Sequence, residues 1–172
     1  MKPRVPYSQP FLTGKEESFL KETMRSCQWA GDGPFSKKCT EVLNQLTGKS
    51  VFLTASGTQS LELAMMALDL ETGSEVILPS FTFTSTANAV VNFGLKPVFV
   101  DIRRDTLNMD ETLIEKSITP KTRAILPVHY AGVGCDMQKI LEIAQKNNLK
   151  VVEDAAQGVG AYYDSTGCYL FN

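Results

Sequence analysis

The sequence has a single histidine and a single tryptophan in 172 residues. Its four cysteines, Cys27, Cys39, Cys135 and Cys168, include no closely spaced pair, and His129 is the lone imidazole. Neither a zinc site, which needs clustered Cys or His ligands, nor a disulfide framework is supported, so the thiols read as reduced cysteines of a cytoplasmic protein. No apolar run approaches the roughly 20 residues that span a bilayer. The opening Met1-Lys2-Pro3-Arg4-Val5-Pro6 lacks the apolar core of a signal peptide. An excess of either charge is missing as well: 17 Lys and Arg stand against 19 Asp and Glu, a formal net charge of -2. Without a basic run to neutralise phosphates, nucleic acid is not an expected partner, and neither is a membrane. Internal repeats and low-complexity segments are also lacking.

What is present is the composition of one globular domain, 43% hydrophobic and 21% charged, long enough to bury about 70% of its unfolded surface. Strands and helices alternate after residue 50. Strands are predicted at Val51–Thr54, Glu75–Leu78, Lys96–Val100, Thr122–His129 and Lys150–Glu153, with helices at Gln59–Leu70, Ser85–Phe93, Asp110–Ile118 and Asp136–Asn147. Leu61, Ala64, Met65 and Leu68 recur at the spacing of a buried helical face. The alternation indicates an α/β fold with a mostly parallel sheet and helices on both faces. Residues 1–50 differ: helices at Gly14–Ser26 and Ser36–Leu46 read as an arm that packs on the sheet domain, residues 51–172, or on a neighbouring subunit.

Three features carry chemistry. Val151-Val152-Glu153-Asp154 is an apolar strand ending on an acid, at the sheet end where α/β folds bind ligands; a dehydrated carboxylate there needs a cation or several donors. Ala55-Ser56-Gly57-Thr58-Gln59 is a glycine turn into a helix whose free N–H groups and dipole suit a phosphate. The plainer reading of Ser56 is an N-cap, and the dipole supplies at most about 2 kcal/mol, so further contacts are needed. Phe81 and Phe83 follow the second strand, where a ring could stack on a flat heterocycle or simply join the core. Together, a phosphate turn, a stacking ring and a buried acid are three parts of a holder for pyridoxal 5'-phosphate (PLP), with the acid keeping the pyridine nitrogen protonated.

Ser56-Gly57-Thr58, the Phe81–Asn88 segment, Pro127-Val128-His129-Tyr130-Ala131-Gly132 and Glu153-Asp154-Ala155-Ala156-Gln157 together resemble the DegT/DnrJ/EryC1/StrS sugar aminotransferases. The likeness covers roughly residues 6–163. It implies the large domain of a fold type I PLP-dependent transferase. Gly57, Thr58 and Gln59 would hold the phosphate, Phe83 would stack on the ring, Asp154 would pair with the ring nitrogen, and Gln157 would meet the ring's hydroxyl side. It also implies a nucleotide-linked 4-keto-6-deoxyhexose substrate, glutamate as amino donor, and a homodimer. His129 and Tyr130 read as structural or pocket-wall residues.

The chain also departs from the family's pattern. The lysine that carries the cofactor covalently and moves the substrate proton has no counterpart here, since Lys121, Lys139 and Lys150 lie elsewhere and the sequence closes on Ser165-Thr166-Gly167-Cys168-Tyr169-Leu170-Phe171-Asn172. The expectation is a truncated copy, inactive alone, with later strands and a small domain missing and a gap beside Val151–Glu153 that invites pairing. A non-catalytic fragment that pairs with full-length subunits is the alternative. A receiver domain is a further one, although Ser56-Gly57-Thr58 supplies no acidic pair for it.

Overall fold

The computed structural model describes residues 9–161. Four parallel strands form one sheet in the order β2-β1-β3-β4: β1 is Glu75–Pro79, β2 Lys96–Val100, β3 Thr122–Ile125 and β4 Lys150–Val151. The helices are α1 (Glu16–Ser26), α2 (Pro34–Thr47), α3 (Gly57–Leu68), α4 (Thr84–Asn92), α5 (Ile114–Ser117) and α6 (Met137–Lys146). Alternation along β1 explains the two layers. Val76 and Leu78 face one core with Leu61 and Met65 of α3 and Ala89 and Val90 of α4. Ile77 faces the other, with Ile114 of α5 and Ile140, Ile143 and Ala144 of α6. A strand covered on both faces has no polar side to show, and Val76, Ile77 and Leu78 are fully buried. The parallel sheet with helices on both faces is the expected architecture.

Several boundaries move. Residues 51–54 form no strand. The Val51 N–H donates to Asn44 Oδ1 at 2.7 Å, and Thr54 Oγ1 bonds Ser60 Oγ at 2.6 Å. Among the described residues this segment has no ladder partner, so its polar groups turn to side chains instead. The helix expected over Asp110–Ile118 divides into a 3-10 turn at Glu111–Leu113 and the four-residue α5, because Asp110 caps the tight turn by accepting from the Thr112 N–H at 2.9 Å. β4 covers only the first half of its predicted span and, among the described residues, is the sheet's edge.

The arm is the larger surprise. α1 buries no residue and α2 buries only Thr47. Their mutual contacts are an edge-to-face pair between Phe19 and Phe35 at 5.5 Å and a Lys38–Glu22 ion pair. Leu20, Met24 and Val42 are exposed and free to meet a neighbouring subunit, the other packing expected of the arm.

Candidate active site

The loops after β1 and β3 and the turn after β4 converge at the carboxyl end of the sheet. Asp154 is placed by its backbone: its N–H donates to Pro127 O at 2.9 Å and its carbonyl accepts the His129 N–H at 3.1 Å. This forms a parallel bridge between Val128 and Asp154 beyond the last regular pair. The carboxylate is buried. Its Oδ2 accepts from the fully buried Thr86 hydroxyl at 2.9 Å, and Oδ1 accepts only a long bond from the Ala156 N–H at 3.3 Å. Among the described residues Asp154 has no cationic partner. A carboxylate offers about four acceptor sites, so Oδ1 can take a cationic N–H.

A hollow of about 70 Å³ lies over this acid, with Thr82, Phe83, His129, Tyr130 and Gln157 in its wall. Whole-ligand pockets usually measure about 300 to 1,000 Å³, so this one receives the edge of a ring. The Phe83 ring is 74% exposed and free to cover a ligand face, whereas Phe81 leans on Tyr130 with ring centroids 4.7 Å apart. Gln157 Oε1 accepts the Ala131 N–H at 2.6 Å, which leaves its amide N–H groups as donors. The loop that supplies this bond needs Gly132: its φ is +79°, and a Cβ there would lie 2.9 Å from Gln157 O.

Behind the acid sits a buried polar cluster that sequence reasoning did not resolve. The Cys135 N–H donates to His129 Nδ1 at 3.1 Å, so Nδ1 is an acceptor and the ring proton lies on Nε2, which bonds Glu153 Oε2 at 2.8 Å. Burial, reinforced by the charge of Glu153, pushes the Cys135 thiol up to about 12. That is the reverse of an activated nucleophile. Thr86 was also missed; the only signal was a run of Ser and Thr at a helix start, which reads equally as capping.

Phe83, Asp154 and Gln157 thus share one hollow, while Gly57, Thr58 and Gln59 are not among its lining residues. The latter three open α3, where Ser56 is the N-cap and accepts the Gln59 N–H at 3.3 Å. The Gln59 side chain turns back to accept the Ala55 N–H. The space beyond Gly57 is open: a Cβ on that residue would meet nothing within 4 Å. α4 connects the parallel strands β1 and β2, so its N-terminus lies at the carboxyl end of the sheet, and α3 packs beside it. A larger hollow of about 420 Å³ involves Arg103, Asn108, Glu111 and Asp136. There the guanidinium is already taken by Asp105 and Glu111, and Asn108 is spent on Val133 O and the Tyr130 N–H. The larger hollow also has Glu111 in its wall, with a buried Oε2 that has no hydrogen-bond partner among the described residues, while the smaller hollow holds the open acceptor position of Asp154.

The parallel sheet with helices on both faces matches the architecture of solved PLP-dependent aminotransferases. The DegT/DnrJ/EryC1/StrS aminotransferase profile matches residues 11–167, and the chain belongs to that family. It is 36% identical to NtdA from Bacillus subtilis, solved with bound cofactor PMP, over 98% of this chain and 41% of that one, with a TM-score of 0.81. The aminotransferase from Psychrobacter cryohalolentis is 35% identical over 92% of this chain and 41% of its own, with a TM-score of 0.86. A synthase of 3-amino-5-hydroxybenzoic acid is 30% identical over 97% of this chain and 43% of its own, with a TM-score of 0.88. The chain therefore spans less than half the length of these structures. Among the described residues no helix is long and apolar enough to cross a membrane, and no group of His, Cys, Asp and Glu is placed to hold a metal ion.

Proposed function

We propose that this chain carries the cofactor-binding part of a PLP-dependent sugar aminotransferase. The reaction is amino transfer from glutamate to the 4-keto carbon of a nucleotide-linked 6-deoxyhexose, as in dTDP-4-amino-4,6-dideoxygalactose transaminases serving surface polysaccharide synthesis. The observation that carries this reading is the buried Asp154 carboxylate, which keeps acceptor capacity on Oδ1 and has no cation among the described residues. Bound PLP supplies an electron sink for the substrate carbon that bears the amino group. Asp154 Oδ1 receives the ring N–H, Phe83 covers one ring face and excludes water, and Gln157 donates to the ring's hydroxyl oxygen. The Gly57 and Thr58 N–H groups at the start of α3 receive the phosphate, with Gln59 bracing that turn through Ala55. Turnover belongs to a protein that also supplies the family's anchoring lysine. A homodimer of that longer protein is the expected assembly.

Titration of the 172-residue chain with PMP, followed by ring fluorescence, tests the reading. Asp154→Asn should weaken binding about 10- to 100-fold, the loss expected of one hydrogen bond between charged groups. Equal affinity for the variant and the unaltered chain would remove the assignment. A longer protein that includes the lysine, assayed with glutamate and a dTDP-4-keto-6-deoxyhexose, tests the substrate. The two-residue edge strand β4 and the exposed apolar arm favour a second reading, a non-catalytic fragment that pairs with full-length subunits. Co-purification with such a subunit, without a gain in its activity, would support that alternative.

A further inference from the structure

Asp154 lies three residues beyond the end of β4, where the bridge to Val128 fixes its backbone but leaves the rotation of its carboxylate to side-chain contacts. Among the described residues, Thr86 is the one side chain that bonds its carboxylate, across 68 positions of sequence. Thr86 belongs to the first turn of α4 and is fully buried. A threonine in a helix often gives its hydroxyl to a carbonyl one turn back; here it points to Asp154 Oδ2 at 2.9 Å. A hydroxyl has a single proton. With that proton on the bond to Oδ2, the 2.9 Å contact between Thr82 and Thr86 can be made only by Thr82 donating. The two hydroxyls therefore form a one-way chain that ends on the carboxylate, and each bond strengthens the next. Thr82 also lines the hollow.

We infer that Thr86 is a positioning residue for Asp154: it occupies Oδ2, holds the carboxylate plane, and presents Oδ1 to the ligand, while Thr82 fixes the direction of the Thr86 proton. The inference deepens the functional reading and rests on Asp154 as partner of the ring nitrogen. It assigns to two neutral hydroxyls the orientation of a carboxylate whose backbone the bridge to Val128 already holds.

The test uses the 172-residue chain, PMP labelled with 15N in the pyridine ring, and Thr86→Val, Thr86→Ser, Thr82→Val and Asp154→Asn. Valine keeps the shape of threonine and removes the hydroxyl; serine keeps the hydroxyl. Thr86→Val should weaken PMP about tenfold and move the ring-nitrogen resonance toward that of the unprotonated pyridine, as expected for loss of a bond to a charged acceptor. Thr86→Ser should restore both, and Thr82→Val should give a smaller change of the same sign. If Asp154→Asn weakens PMP while Thr86→Val behaves like the unaltered chain, the hydroxyl chain is overturned and the reading of Asp154 stands. If Asp154→Asn has no effect, the reading of Asp154 fails and takes this inference with it. A readout without cofactor completes the test: the carboxyl 13C resonance of Asp154 should shift in Thr86→Val and return in Thr86→Ser. Shifts of equal size in both variants would show plain packing damage and overturn the inference.

Discussion

The N-terminal arm and the sheet body are both built of well-formed helices, yet different forces hold them. The arm's helices are specified by their ends. Glu16 accepts from the Thr13 N–H at 2.7 Å and the Gly14 N–H at 2.9 Å, Pro34 opens α2, and Gly48 closes it with φ +67°. The body is specified by burial: the inward faces of α3, α4 and α6 each meet a strand of the sheet, and Ile77, Leu126 and Ile140 have no exposure. Capping determines where a helix starts and stops at about 1 kcal/mol per cap; burial of a large side chain contributes about 1.5 to 3 kcal/mol and decides whether the helix stays. With 11 residues, α1 is shorter than the length at which isolated helices persist. The comparison teaches that a helix can be encoded locally without being anchored.

The sharpest way to break this contrast is a pair of truncations. Ile77→Ala should cost about 2 to 5 kcal/mol in urea unfolding, because it opens a cavity in a fully packed layer. Leu20→Ala should stay within about 0.5 kcal/mol. A comparable loss in both would mean that the arm is docked in solution. Next in size is Gly132→Ala, where the left-handed backbone and the clash with Gln157 O together should lower stability by about 1 to 2 kcal/mol and detach the Ala131–Gln157 bond. A melting temperature unchanged by that substitution would show the loop to be free of the body.

Thiol chemistry separates the regions without mutation. Cys27 and Cys39 in the arm are exposed and should react with an alkylating reagent at pH 8, while Cys135 should react only on unfolding. The folded Cys135 thiol stands at about 12 against an ordinary 9.0. Its contribution to stability is therefore complete below pH 9 and is lost as pH rises through about 12. Labelling of Cys135 at the rate of the arm thiols would contradict the burial. The smallest effect is in α1. Bonds from the Thr13 backbone lower Glu16 from 4.5 to about 2, so its support for the helix start is full above pH 4.5 and is lost as pH falls through about 2. Far-UV circular dichroism of Glu16→Gln should show that small loss already at neutral pH.

Much of the fold was legible because parallel strands buried on both faces must be continuously apolar, as Val76-Ile77-Leu78 is, and because helices between them carry one apolar stripe. Val51–Thr54 was misread for the same reason. A short apolar run has the composition of a strand whether or not a neighbour is there to bond it. In the site, Phe83 and Asp154 were picked out by their places after strand ends and Gln157 by the family resemblance, and the structure brings the three to one hollow. Thr86 and the His129–Glu153 pair were not, since each depends on contacts between segments 24 to 68 residues apart.

The sequence by itself determined the periodicity, the turns and the acid at the end of the last strand, because those follow from side-chain chemistry within a few residues. Only the tertiary structure decided which oxygen of Asp154 stays open, which hydroxyl holds the other, and which apolar helices find a partner. Those outcomes depend on distances between groups far apart in the chain, and packing alone sets such distances.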